Sequence, residues 1–457
     1  MSKGSDSTAI RGVPLSADHS SASDREYNCE VKDEYDNMST LEPQAFSHHY
    51  ARSLLETCSH WHPNSAAISD ELDWLQPRQI SGFGSWVADG VNRPGLIGDC
   101  AHGALQALIE LSGSTLPGVN HGSSLLFDRV PYLDLKTPDQ LSANQSCRLM
   151  RARDGWIALN LAREEDRECI PAWLETSASC WSEIIPERPK NDLVSRGRLL
   201  GMPITSVQQI PRSPWLQTRL FSANDPIKGR APLVVDLSSL WAGPLCSHLL
   251  EKLFGARVIK VESSNRPDSS RDSTPKFFDL LNSGKESVAL DLPREKDKLR
   301  VLLDNADIVI EASRPRALAQ MDINPSSVID VSPSTTWVSI TGYGRSNEQG
   351  YWVAFGDDAA ASGGLLGWID DVPYFLGDAI ADPLTGLHAA VAAILAYWQG
   401  GGRLIDIPLA NVAAFCARVG ERVVLEPEPA IEKPRPNNDF ARPFGIDTTD
   451  VLRSLGC

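Results

Sequence analysis

No apolar run in this chain approaches the ~20 residues that a membrane-spanning helix requires. The N-terminal stretch MSKGSDSTAIRGVPLSADHSS lacks an apolar core of signal-peptide length. Its nine cysteines, Cys29, Cys58, Cys100, Cys147, Cys169, Cys180, Cys246, Cys416 and Cys457, never form a CxxC pair. Their odd number and scatter argue against a disulfide framework and a zinc ribbon, and point to a reducing, cytoplasmic setting. Positive charge is also in deficit: 43 Lys and Arg stand against 59 Asp and Glu, for a net charge of −16. Such a chain is a poor candidate for nucleic acid or anionic membranes, although a local Arg and Lys cluster can still hold phosphates.

What is present is an α/β pattern. Residues 1–42 are polar and acidic and read as a disordered leader. A smaller N-terminal domain is expected over 43–225. Within it, GDCAHGALQALIELSG (98–113) has helical apolar spacing and ends in glycine. CRLMRARDGWIALNLA (147–162) reads as two short strands about the turn Arg153-Asp154-Gly155. From Ala231 the pattern becomes strand–helix alternation. PLVVDLS, ARVIKVE, SVALDL, DIVIEA and TTWVSITGYG are apolar runs of the kind buried on both sheet faces. PLCSHLLEKLFG and EKDKLRVLLDNA are helices between them. The expectation is a doubly wound, Rossmann-like parallel sheet over 228–425, with a C-terminal tail over 426–457. The first strand-to-helix turn, LSSLWAGPL, matches neither G-x-G-x-x-G nor a P-loop, so a dehydrogenase or a nucleotide kinase loses its main support. The turn still sets two small residues, Ala242 and Gly243, at a helix N-terminus, where backbone can approach a phosphate or an adenine.

Several segments resemble the family III CoA-transferases, the group that includes formyl-CoA and carnitine-CoA transferases and α-methylacyl-CoA racemase. PLVVDLSSLWAGPLCSHLLEKLFGARVIKVE resembles the opening of that family. FFDLLNSGKESVALDL, ADIVIEASRPRALAQM, WVSITGYG and DAIADPLTGLHAAVAAILAYW follow in the family's order. CRLMRARDGWIALNLAREEDRECIPAWLE and RLLGMPITSVQQI resemble its smaller domain, yet they precede the catalytic segment instead of following it. A rearranged order and the remnant of a tandem duplication both fit.

The resemblance implies CoA transfer from an acyl-CoA to a small carboxylic acid, with no tightly bound cofactor, in an interlocked homodimer. Asp382, in IADPLTGLH, matches the family's nucleophilic aspartate. A positioned carboxylate can attack a thioester, and backbone N–H groups at a helix start can hold the oxyanion. From spacing alone Asp382 is equally a helix cap. Asp378 reads as a loop carboxylate. Ala242, Gly243, Asn282, Lys285, Ser313 and Arg314 match segments that line the family's CoA groove. Departures are Ser263, where relatives carry Arg, with Arg266 or Arg271 as substitutes, and Arg316 and Gln320 after Arg-Pro.

Racemases of the family pair the aspartate with a histidine. Here Asp357 or Asp358 occupies that place, and His388 reads as a core histidine. Transfer therefore ranks above racemisation. A non-catalytic subunit of a heteromeric transferase is a second alternative. His60, His62 and Cys58 have no third ligand pattern, so no metal is expected. The cluster Asp99-Cys100-Ala101-His102 reads as a helix start with a packing cysteine.

Overall fold

The computed structural model describes residues 26–27, 49–55, 92–94, 96–176, 181–207, 214–419, 422–424, 435, 437 and 439–456. Most of the expected leader, the Cys58–His62 cluster and much of the expected tail lie outside these residues.

Two short strands, β1 (Glu26–Tyr27) and β2 (Asn92–Pro94), precede helix α1 (Ile97–Ser112). Gly113 closes α1 in the left-handed conformation (φ 62°), its N–H bonded to the Ile109 carbonyl. A compact unit follows: β3 (Cys147–Ala152), β4 (Gly155–Asn160) and β5 (Ile204–Ser206) form an antiparallel sheet in that order. β3 and β4 flank the turn marked by Arg153, Asp154 and Gly155. Short helices at Glu164–Glu168, Ile170–Leu174 and Lys190–Leu199 cover this sheet, packing Trp173, Leu174, Leu193 and Val194 onto Ile157 and Ile204.

After β6 (Gln217–Leu220) come β7 (Leu233–Asp236), helix α2 (Ala242–Phe254), β8 (Arg257–Ser263), β9 (Glu286–Leu290), β10 (Ile308–Glu311) and β11 (Thr336–Thr341). Helix α3 (Gly356–Gly363), the hairpin β12 (Gly367–Ile369) and β13 (Val372–Tyr374), helix α4 (Ala381–Trp398), β14 (Arg403–Pro408), helix α5 (Leu409–Arg418) and β15 (Arg422–Val424) complete the set used below. The large sheet has the order β1-β6-β14-β11-β10-β7-β8-β9. The six strands from β14 to β9 are parallel, while β6 joins β14 antiparallel and β1 joins β6 antiparallel. Numbered from β7 along the chain, the parallel strands run 3-2-1-4-5-6, the doubly wound dinucleotide-fold order. The order reverses between β7 and β10, and a crevice opens at the carboxyl ends of strands at such a reversal. The fold is therefore α/β, as the apolar runs implied.

The packing does not divide where the composition changes. Strand β6 falls within the expected N-terminal domain, yet it extends the large sheet. Helix α1 packs Ala101, Ala104, Leu105 and Leu108 into the same core as α2, α4 and α5. The separate unit is the three-stranded sheet with its helices, whose Cys147, Leu149 and Ala158 meet Ala361, Leu366 and Phe375.

Helix α4 is buried nearly all round, as expected of a helix enclosed by others. It approaches α2 closely because Gly386 has no side chain. A Cβ at Gly386 would lie 2.6 Å from the Ala242 carbonyl oxygen. Glycine in a helix interior costs about 1 kcal/mol relative to alanine, so relief of that cost favours Gly386→Ala. Overpacking against backbone costs about 1–3 kcal/mol and acts in the opposite direction. The clash is with a carbonyl that cannot rotate away, so the net outcome expected is destabilisation by about 1–2 kcal/mol. A lowered urea midpoint for Gly386→Ala checks this; an unchanged or raised midpoint contradicts it.

Candidate active site

The β7-to-α2 turn is organised by buried charge. Asp236 accepts bonds from the Ser238 N–H and hydroxyl, from Ser247 Oγ at 2.5 Å, and from Lys285 Nζ at 3.3 Å. Burial alone would raise the Asp236 carboxyl, but Lys285 and Lys260 hold it below the usual carboxylate range. Lys260 ties the turn from beneath, donating to the Ser238 carbonyl at 2.9 Å and pairing with Asp268 at 3.1 Å. Gly243 sits directly on Ser238: a Cβ there would overlap Ser238 Oγ. Leu240 takes a left-handed backbone (φ 70°), a strained choice for a leucine and a mark of a turn held by its surroundings.

Two residues expected along the CoA groove are enclosed. Lys285 donates to the Pro244 carbonyl (3.0 Å), Ser247 Oγ (2.7 Å) and Asn282 Oδ1 (3.0 Å), in addition to Asp236. Burial pulls its ammonium down to about 8, opposed by the Asp236 charge. Asn282 is likewise buried and donates to the Phe278 carbonyl. Both support the turn from behind.

The rim at the carboxyl ends of β8 and β10 is positive. Ser313 turns back to cap Glu311, with its N–H and hydroxyl on Glu311 Oε2 at 3.1 and 3.0 Å. The Arg314 guanidinium has no hydrogen bond or ion pair among the described residues. Partial burial, then Arg316, Arg163 and Arg266, hold it below the usual arginine range. Arg314 and Arg266 therefore belong to one cluster with Arg316 and with Arg163, which comes from the three-stranded unit and was not anticipated. Arg163 is itself paired with Asp166 (2.5 Å). Arg271 is committed elsewhere, paired with Glu262 at 2.5 Å.

Asp382 is the second residue of α4. It does not cap the helix: the cap position is Ile380 and no side chain caps it. Its carboxylate is partly exposed and makes no hydrogen bond or ion pair among the described residues. It lies against the first turn of α3, where a Cβ on Gly356 would come within 2.8 Å of Asp382 Oδ2. Burial, Asp357 and Asp378 push its carboxyl up, Arg129 pulls it down, and the balance is about 7.

The neighbouring carboxylates are engaged, apart from Asp358 Oδ2, which is buried without a hydrogen-bond partner. Asp378 is buried and paired bidentately with Arg129, at 2.7 Å from Nε and 2.6 Å from Nη2. Asp357 accepts from the Ala379 N–H (2.9 Å) and from Asn144 Nδ2 (3.3 Å), and burial with Asp378 raises it to about 7. Asp358 accepts from the Phe355 N–H (2.9 Å) and from Asn160 Nδ2 (3.1 Å), and burial raises it to about 7. Asn144 and Asn160 belong to the N-terminal half, so this half holds α3 in place. His388 is a core residue, bonded to Tyr50 Oη at 2.7 Å and the Leu384 carbonyl at 2.6 Å, and burial lowers it to about 4. In α1, Cys100 is buried and no side chain caps the helix start. Two open cavities, of about 560 and 710 Å³, lie elsewhere and involve none of these residues.

The doubly wound strand order, the arginines gathered after β8 and β10, and a partly exposed aspartate at a helix start are the features that the candidate site brings together. Residues 232–439 match the family model "CoA-transferase family III". The chain is 29% identical over 190 residues to a succinyl-CoA–D-citramalate CoA-transferase of Chloroflexus aurantiacus, covering 38% of this chain and 47% of the relative. It is 32% identical over 178 residues to a formyl-CoA:oxalate CoA-transferase of Rhodopseudomonas palustris, covering 36% and 41%. It thus spans about half the length of the curated relatives it matches, or somewhat less. Solved structures similar to it include a hypothetical protein of Mycobacterium tuberculosis (28% identity, TM-score 0.38, 42% of this chain and 57% of that one). Another is a CAIB/BAIF family protein of Brucella suis (28%, TM-score 0.38, 42% and 55%).

Asp358 supplies a test of the buried charge. Its folded-state value near 7 lies above its ordinary value, so the folded protein holds a proton that the unfolded chain releases. Its contribution is complete at low pH and is lost as pH rises towards 7. Asp358→Asn keeps an acceptor for Phe355 and Asn160 and cannot ionise. The stability of this variant relative to wild type is expected to rise by about 2–3 kcal/mol between pH 5 and pH 8. Paired urea melts at the two pH values measure it, and a difference that stays flat or falls contradicts the assignment.

Proposed function

We propose that the protein transfers CoA from an acyl-CoA to a small carboxylic acid, with Asp382 as the nucleophile. The observation that carries this reading is the state of Asp382. Of the aspartates gathered at the start of α4, it alone reaches the surface with its oxygens unspent.

An Asp382 oxygen attacks the thioester carbonyl, the C–S bond breaks and CoA leaves as the thiolate, giving a mixed anhydride. The thiolate then attacks the aspartyl carbonyl. That step forms an aspartyl-CoA thioester and releases the donor acid as its carboxylate. The acceptor carboxylate attacks this thioester, expelling CoA thiolate and forming a second anhydride. Attack of the thiolate on the acceptor carbonyl yields the new acyl-CoA and restores Asp382. Charge and atoms balance without a further reactant.

Ala242 and Gly243 are the backbone approach for the nucleotide, Arg266, Ser313 and Arg314 its phosphate side, and Asn282 and Lys285 the support beneath. The names of the relatives, which pair CoA thioesters with acids, support this class of substrates. A homodimer and a cytoplasmic location follow from the family resemblance and from the scattered cysteines. Racemisation needs a second base, and the nearest candidate, Asp357, already spends both oxygens on Ala379 and Asn144.

Incubation with an acyl-CoA and hydroxylamine is expected to convert Asp382 to its hydroxamate, read by peptide mass spectrometry. Asp382→Asn should lower CoA exchange by about three orders of magnitude or more. The exchange rate should climb with pH through about 7 as Asp382 ionises. An unmodified Asp382 under turnover overturns the reading.

A further inference from the structure

We propose that Arg129 is a positioning residue for Asp382: it clamps the loop leading into α4 through Asp378 and supplies the positive charge beside which the Asp382 carboxylate works. This inference rests on the proposed function for its purpose, though not for its geometry.

The loop Gly377–Ile380 leads directly to the nucleophile. Gly377 and Ala379 both have left-handed backbones, φ 62° and 46°, and for alanine that conformation is strained. A strained loop keeps its shape only when its surroundings hold it. Two side chains do so. Asp357 accepts the Ala379 N–H at 2.9 Å, and the Ala379 carbonyl accepts the Asp382 N–H at 2.9 Å. Arg129 grips the intervening Asp378 with two bonds. A fork-to-carboxylate pair fixes orientation as well as distance, which a lysine at the same place cannot do.

Arg129 is itself fixed. Its guanidinium stacks 5.2 Å from the ring of Trp241, the residue before α2. Its neighbour Asp128 is buried and paired bidentately with Arg435, which also donates to His248 Nε2 of α2 at 3.2 Å. Segment 128–129 thus joins the CoA-side turn to the nucleophile loop. The charged groups that act on Asp382 are Asp357 on α3, Asp378 on the preceding loop and Arg129. Arg129 is the single cation of that set. The Arg129 side chain bonds Asp378 and not Asp382, so its effect on Asp382 passes through the loop and the field.

The test is direct titration of Asp382 in the full chain, by NMR of ¹³C-carboxyl aspartate, the signal being assigned by its loss in Asp382→Asn. Arg129→Met should raise the Asp382 midpoint by about one unit. Asp378→Asn removes a repelling carboxylate and frees the guanidinium, so it should lower the midpoint. Loose packing alone cannot produce shifts of opposite sign. Arg129→Lys keeps the charge without the fork and should leave the midpoint near wild type while lowering kcat; it also keeps the test alive if Arg129→Met does not fold. In CoA exchange, the loss in Arg129→Met should be about tenfold larger at pH 6 than well above the midpoint, where the loss it shares with Arg129→Lys remains, whereas a merely structural role lowers the rate equally at every pH. Midpoints that do not move, or that move in the same direction in Arg129→Met and Asp378→Asn, overturn the proposal. The titration needs no turnover: unmoved midpoints with intact hydroxylamine trapping sink Arg129 alone, and the expected shifts without trapping sink the nucleophile alone.

Discussion

Three aspartates, Asp357, Asp378 and Asp382, converge around one guanidinium at the start of α4. Removing carboxylates from water raises the cost of their charge, and placing them together raises it again. One arginine cannot neutralise three. The pair with shared hydrogen bonds, Arg129 and Asp378, takes the available compensation. Asp357 and Asp382 are left near 7, one held by amide donors and the other open. Under the proposed function the unequal division sets the site's chemistry: a carboxylate locked in a fork is a poor nucleophile, whereas one that is partly desolvated and unpaired is free to attack.

That constraint also explains why the N-terminal half cannot be dispensable. It contributes Arg129 to Asp378, Asn144 to Asp357 and Asn160 to Asp358, three contacts to the loop and helix around Asp382. It adds β6 to the edge of the large sheet and α1 to its core. The residues that match the family model, 232–439, thus carry the carboxylates, while the side chains that bind Asp378, Asp357 and Asp358 come from before residue 161. The early position of this half along the chain does not prevent it from reaching the site.

Much of this was legible in the sequence, and the limits were physical. Apolar runs such as PLVVDLS and DIVIEA specify strands buried on both faces, and β7 and β10 are such strands. Asp382 was legible through its surrounding pattern, and the competing reading as a cap ended with the helix starting one residue earlier. Lys285 and Asn282 show where spacing stops informing: a lysine after a strand reads alike whether it faces a phosphate or, as here, lies buried among Asp236, Ser247 and a carbonyl. Arg129 had no local signal at all. Its partner lies 249 residues further along the chain, and DRVPY has neither a motif nor a period that marks the arginine. Strand β6 was hidden for a related reason: a strand of four residues gains its hydrogen bonds from its neighbours β14 and β1, not from its own propensity.

The two ends of the site carry opposite charge, and under the proposed function this orders the reaction. Arg314, Arg316, Arg163 and Arg266 gather at one end, and Asp357, Asp378 and Asp382 at the other. An acyl-CoA is charged on its phosphates and neutral at its thioester, so the field alone orients it with the thioester towards Asp382. A free carboxylic acid has the reverse problem, since its charge would have to approach an ionised aspartate. Once Asp382 is held as a thioester, that charge is gone, and with Asp378 already paired to Arg129 an approaching acid meets less repulsion. The acceptor is therefore admitted after the donor has reacted, and the sequence of steps follows from electrostatics before any specific contact to the acid is considered.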